Sequence, residues 1–192
     1  RRQRQMCIRD SYKITPLSSD TNQRQHYSVE KISCGEKSIL YSGSINVVAS
    51  SGEIYIAAGT VMNGVIVWDL TTRLILYGLN DHEGSIFGVK MDLWGKYLIS
   101  CSDDRSIKLY DLQRGGKGGG GGEVVATGWG HGSRIWNLEF ANASPSEGNG
   151  GLQIMSIGED CTLRIWKYNN ESDVLQPVNC LLYTSDAADD MQ

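Results

Sequence analysis

Proline is scarce in this 192-residue chain, at 3 residues, and phenylalanine scarcer still, at 2. Histidine numbers 3, at His26, His82 and His131, too few and too scattered to build a metal centre, so no metal site is expected. The five cysteines (Cys7, Cys34, Cys101, Cys161 and Cys180) are odd in number, widely spaced and without a C-x-x-C pair. That excludes a secreted disulfide framework and a zinc module, and points to reduced thiols and a cytoplasmic setting. No apolar run approaches the roughly 18–20 residues of a membrane helix, so no membrane partner is expected. Nor is a secretory leader expected, because no charged, apolar and small-residue series opens the chain. Charge of one sign is also lacking: the net charge is −4 with charged residues at 21%. A strongly basic nucleic-acid binder is thereby excluded in bulk, though a local basic patch is not.

What is present is uneven. Residues 1–11 read RRQRQMCIRDS and residues 181–192 read LLYTSDAADDMQ. Both resemble peptides that arise when sequencing-adapter DNA is translated, and both are set aside from the fold. Residues 12–180 are then read as an interior piece of a longer protein.

Helical periodicity is almost absent between these ends. Short apolar and β-branched runs recur instead, among them Ser38–Tyr41, Ile45–Ala49, Ile54–Ala58, Val65–Leu70, Ile86–Met91 and Ile107–Leu112. Asn63-Gly64, Asp103-Asp104 and Glu159-Asp160 punctuate them as turns. Many short strands at even spacing indicate an all-β chain. Three strands end alike, in Val65-Ile66-Val67-Trp68-Asp69, Ile107-Lys108-Leu109-Tyr110-Asp111 and Leu163-Arg164-Ile165-Trp166-Lys167. Trp68 and Tyr110 are 42 positions apart, within the roughly 40–45 residues of a propeller blade. Tyr110 and Trp166 are 56 apart, and two loops account for the excess: the glycine-rich stretch 113–122 and the Asn/Ser/Pro/Gly stretch 142–151. Loops of this kind lengthen at small entropic cost.

On these residues the chain resembles a WD-repeat β-propeller. The resemblance implies an all-β partial propeller of about three four-stranded blades, at about 38–78, 79–128 and 129–180. It also implies a structural His–Ser–Asp–Trp tetrad in each blade. In the third blade His131, preceded by Gly130, joins Ser156, Asp160 and Trp166. In the second the set is His82, Ser100, Asp104 and Tyr110, with tyrosine in place of tryptophan. The first blade keeps Trp68 but has Ala58 at the serine position and Met62 at the aspartate position, so its network is incomplete. The physical need is plain: a buried carboxylate requires donors, and a buried indole N–H requires an acceptor.

Residue types of other chemistries are also present. His131, Ser156 and Asp160 are the residue types of a hydrolytic triad, but no G-x-S-x-G surrounds the serine. Lys117 lies among glycines, but no [ST] follows it and no helix is expected after it, so a phosphate loop is not formed. No catalytic residue and no cofactor are therefore expected. Arg105, Lys108, Arg134 and Arg164, with Trp129 and Trp136, carry the types of an RNA surface. Of these, Arg134 and Arg105 are the candidate contacts for RNA or a partner.

Three stretches carry a narrower resemblance: HEGSIFGV at 82–89, GHGSRIWN at 130–137 and GEDCTLRIW at 158–166. Together they resemble the non-catalytic WD-repeat subunits of the eukaryotic tRNA wobble-nucleotide 2′-O-methyltransferase. That resemblance implies a scaffold in tRNA modification. Its expected partners are a separate methyltransferase subunit dependent on S-adenosylmethionine, the tRNA itself and further proteins. A generic WD-repeat adaptor in signalling, trafficking or ubiquitin transfer is the alternative.

Overall fold

The computed structural model describes residues 10–16, 27–33, 39–114, 121–141 and 151–182. Most of the two end segments, and the greater part of the two long loops, lie outside the described residues. All fourteen described elements are strands. A first antiparallel pair, β1 (Asp10–Pro16) and β2 (Tyr27–Ser33), forms a sheet of its own. Three four-stranded antiparallel sheets follow, each a blade. Blade 1 is β3 (Leu40–Val47), β4 (Ile54–Thr60), β5 (Val65–Asp69) and β6 (Ile75–Leu79). Blade 2 is β7 (Ile86–Met91), β8 (Tyr97–Ser102), β9 (Ser106–Asp111) and β10 (Glu123–Trp129). Blade 3 is β11 (Ile135–Phe140), β12 (Leu152–Gly158), β13 (Thr162–Asn169) and β14 (Val174–Leu182).

Within each blade the strands pair in chain order, so every link inside a blade is a hairpin. The β4–β5, β8–β9 and β12–β13 hairpins each hold a non-glycine residue in the left-handed region, Asn63 (φ 60°), Arg105 (φ 68°) and Cys161 (φ 57°). The same turn is thus built three times from different side chains, because the register on either side of it is the same.

Blade 2 is apolar on both faces because it is packed between blade 1 and blade 3. Tyr55, Ala57, Val65 and Val67 of blade 1 share one core with Val89, Met91, Leu98 and Tyr110 of blade 2. Tyr97, Ile99, Ile107 and Leu109 of blade 2 share the next with Leu138, Ile154 and Trp166 of blade 3. Gly95, at φ +65°, sits where these constraints meet, since a Cβ there would lie 2.9 Å from Val48 Cγ2 of the adjoining blade.

Several strand assignments differ from the sequence pattern. β1 and β2 are strands that the apolar runs do not mark, and Asp10–Ser11 and Leu181–Leu182, set aside with the ends, are paired within β1–β2 and β13–β14. Ser38–Tyr41 and Ile45–Ala49 are not separate strands; β3 runs unbroken through Ser42-Gly43-Ser44, because pairing with β4 from Leu40↔Thr60 to Val47↔Ile54 supplies the backbone bonds that the polar stretch lacks side chains to favour. β14, which holds Pro177 and Asn179, has no clean alternation, yet it forms the edge of its sheet. Proline is tolerated there because an edge strand leaves half of its donors unpaired and Pro177 lies beside a register shift.

Candidate interaction surface

The four residues expected in blade 3 come together as one hydrogen-bonded chain. Trp166 Nε1 donates to Ser156 Oγ at 2.8 Å, and Ser156 Oγ lies 2.8 Å from His131 Nε2. His131 Nδ1 lies 2.9 Å from Asp160 Oδ2. A carboxylate only accepts, so Nδ1 carries the ring proton, Nε2 accepts, and the serine hydroxyl donates to it. Asp160 takes three more bonds, from Gly132 N–H (2.8 Å), Thr162 N–H (3.2 Å) and Thr162 Oγ1 (2.7 Å). Burial alone would push its carboxyl up; these bonds and that from His131 outweigh it and bring the value down to about 2. His131 is held below its usual range by burial, against the pull of Asp160.

Blade 2 repeats the arrangement with one link missing. His82 Nε2 lies 2.7 Å from Ser100 Oγ, and its Nδ1 lies 2.8 Å from Asp104 Oδ2. Ser106 donates to Asp104 Oδ1 through its hydroxyl (2.7 Å) and its N–H (2.8 Å). These bonds outweigh burial and hold the Asp104 carboxyl well below the usual carboxylate range. The Tyr110 hydroxyl lies near Ser100 but completes no hydrogen bond, and burial pushes it up.

Blade 1 lacks the network. Trp68 is buried with Nε1 unpaired, because Ala58 stands ten residues before it where Ser156 stands ten before Trp166. Its hairpin is closed differently: Thr60 Oγ1 accepts from Met62 N–H (3.2 Å) and Gly64 N–H (3.1 Å).

Of the candidate contacts, Arg134 sits where the loop enters β11 and is already engaged. Its Nε lies 3.0 Å from Glu159 Oε2 and 3.4 Å from Asp103 Oδ1, and its guanidinium lies 5.5 Å from the centre of the Trp136 ring. Arg105 is exposed on the β8–β9 hairpin, and its side chain has no polar partner among the described residues. Lys108 reaches Thr127 Oγ1 at 3.5 Å, and Arg164 buries an unpaired Nε.

Sequence reasoning missed an aromatic row beside Arg134. Each innermost strand carries a register shift at its second residue, which leaves Tyr41, Phe87 and Trp136 out of the ladder at equivalent places. Tyr41 stacks on Phe87 (5.6 Å between ring centres, 19° between planes), and Phe87 meets Trp136 at 5.1 Å. The available signal was an aromatic following Leu40, Ile86 and Ile135 in turn. Thr162 and Ser106, also missed, share an offset of six from Ser156 and Ser100. The surface thus combines exposed rings with a cation held between two carboxylates, which suits docking of another macromolecule.

Comparison with known proteins places this geometry. Residues 74–111 match the family model described as WD domain, G-beta repeat. The chain is 24% identical over 156 residues to the tRNA (34-2'-O)-methyltransferase regulator WDR6 of Drosophila melanogaster, covering 74% of this chain and 15% of that protein. It is 32% identical over 93 residues to Protein transport protein SEC13 of Lodderomyces elongisporus, covering 48% of this chain and 28% of that one. The chain therefore spans less than a third of the length of either relative. Among solved structures, a chain of the Crystal Structure of Mitotic Checkpoint Complex superposes with a TM-score of 0.60 at 20% identity, covering 83% of this chain and 44% of that one. The repeat matched at 74–111, the three four-stranded sheets and this likeness in fold give the described blades the architecture of part of a β-propeller.

Proposed function

We propose that this chain is part of a non-catalytic scaffold that assists a separate methyltransferase, dependent on S-adenosylmethionine, in 2′-O-methylating the wobble nucleotide of tRNA. The observation that carries the reading is the extent of the likeness to the Drosophila regulator, which covers 74% of the chain, against 48% for the transport protein. The chemistry of the polar sets supports it. Ser156 has the neighbours of a hydrolytic nucleophile, but it is 1% exposed and its oxygen already accepts the Trp166 indole N–H. Such a hydroxyl holds a blade in shape and does not reach a substrate. The contribution to rate is then positional: a rigid platform holds RNA and enzyme in register.

Reconstitution tests this. The whole protein that contains these blades is mixed with its cognate methyltransferase and substrate tRNA, and ribose methylation at the wobble nucleotide is measured with and without it. Methylation should need both proteins, and neither alone should suffice. Equal methylation in its absence would overturn the reading and leave the adaptor alternative, which the 32% identity to a transport protein favours.

A further inference from the structure

The aromatic row lies on a rim that is built three times in the same way. Val61 N–H donates to the Ile39 carbonyl (3.1 Å), Asp103 N–H to that of Ser85 (3.0 Å) and Glu159 N–H to that of Arg134 (2.9 Å). Each bond ties the tip of a hairpin to the stretch that enters the innermost strand. Two residues further along that stretch stand Tyr41, Phe87 and Trp136. The hairpin residue held there is apolar in blade 1 (Val61) and a carboxylate in blades 2 and 3 (Asp103 and Glu159).

The rim is acidic. Among the described residues its loops and hairpins expose Asp81, Glu83, Asp103 and Glu159, and set only Arg105 and Arg134 against them. Lys90, further along β7, is taken by Glu139 at 2.9 Å. Arg134 is shared by Glu159 Oε2 and Asp103 Oδ1, which leaves Glu159 Oε1 and Asp103 Oδ2 without a hydrogen-bond partner among the described residues. Such a field repels a phosphate backbone and draws in a cation. Blade 2 shows that the surface stays open when a blade stands on either side: Phe87 is only half-buried between Tyr41 and Trp136, and the Asp103 side chain is 46% exposed. Arg134 displays the mode of capture, since its guanidinium lies over the Trp136 ring while its Nε pairs with the carboxylates. Ring face and carboxylate act together on such a group.

We propose that this rim binds a basic segment of a protein partner, whose arginine side chains lie against the Phe87 and Trp136 rings and pair with Asp103 and Glu159. Arginine suits both parts of the surface at once, because its planar guanidinium stacks on a ring and presents a fork of donors to a carboxylate. RNA suits one part only: its bases stack on rings, but its phosphates meet the carboxylates of Asp81, Glu83, Asp103 and Glu159. Binding of this kind stands apart from the methylation reading and holds whether or not the reconstituted reaction responds.

The test uses the full 192-residue chain. Its probes are a fluorescein-labelled peptide of alternating arginine and glycine and a labelled single-stranded oligouridine, each followed by anisotropy. The peptide should bind and the oligouridine should not. Asp103→Asn combined with Glu159→Gln should weaken the peptide by roughly three- to tenfold, as the loss of two partly exposed charge pairs implies. Trp136→Leu keeps an apolar side chain but removes the ring face, and should weaken it by about two- to fivefold. Glu123, opposite the last residue of β9, and Glu171, in the β13–β14 hairpin, are exposed at the far end of the strands from this rim. Glu123→Gln combined with Glu171→Gln removes the same charge and should leave binding unchanged. Circular dichroism identical to that of wild type shows that the blades persist in each variant. A wild type that does not bind the peptide would overturn the proposal, and so would binding that neither rim variant weakens. An equal loss in the Glu123 and Glu171 variant would mean that bulk charge alone attracts the peptide, which also overturns it. Oligouridine binding that Trp136→Leu abolishes would make RNA the ligand of the rim, again overturning it.

Discussion

Arg134 and Asp103 join blade 3 to blade 2: the Arg134 Nε lies 3.4 Å from Asp103 Oδ1, across a boundary that Lys90–Glu139 (2.9 Å) and Arg114–Asp173 (3.0 Å) also bridge. Glu159, from the hairpin of Arg134's own blade, takes the same nitrogen at 3.0 Å and also accepts from Ser133 Oγ at 2.6 Å. The guanidinium is thus fixed over Trp136 rather than free to sweep the solvent.

Arg134→Ala should change folding stability by no more than about 1 kcal/mol, because both ion pairs are substantially exposed. It leaves Asp103 and Glu159 as uncompensated charge beside the aromatic row. In the reconstituted methylation reaction the variant should lower the rate while its melting temperature stays close to that of the wild type. A fall in both together would assign Arg134 to the fold alone.

Asp160→Ala removes the acceptor for His131, Thr162 and the Gly132 N–H at once. Loss of about 1–3 kcal/mol is expected from stranding buried donors. Asp104→Ala should cost a similar amount, since Asp104 likewise accepts from His82, Ser106 and the Glu83 N–H. Denaturant midpoints measure both.

Ala58→Ser should act in the opposite direction. The unpaired Trp68 Nε1 lies in the register position whose blade 3 equivalent, Trp166 Nε1, bonds to a serine. Supplying that hydroxyl should stabilise blade 1 by about 1 kcal/mol and move the Trp68 indole N–H resonance to a hydrogen-bonded shift. An unmoved resonance would show that the added oxygen turns away from the ring.

Acid should weaken the fold in two stages. The unfolded chain protonates histidine near 6.5 and aspartate near 3.8, whereas folded His131 and Asp160 both titrate lower, Asp160 at about 2. In each window the unfolded state binds more protons, so stability falls as pH drops, first below about 6.5 and again between about 4 and 2. Asp104 adds to the second stage. Asp92 opposes it, because burial pushes its carboxyl up and its Oδ2 is buried without a partner. Melting temperatures across this range check the stages, and His131→Asn should reduce the first.

Gly95→Ala should destabilise by about 1–3 kcal/mol, since the new methyl meets Val48 Cγ2 at 2.9 Å in a left-handed backbone conformation. The loss should show in the denaturant midpoint.

The sequence by itself determined the repeat and most of the polar network, because those relations are local. Ser156, Asp160 and Trp166 lie on one hairpin, and offsets of four and ten residues bring them together whenever β12 and β13 pair in register. The substitutions of blade 1 were equally legible, since Ala58 and Met62 cannot replace a hydroxyl and a carboxylate. Only the tertiary structure decided what meets across blades. Phe87 and Trp136 are 49 positions apart, and Asp103 and Arg134 are 31 apart. No short-range pattern links either pair; they meet because packed faces fix where one sheet lies on the next, and because a register shift in each inner strand swings one ring out of the ladder.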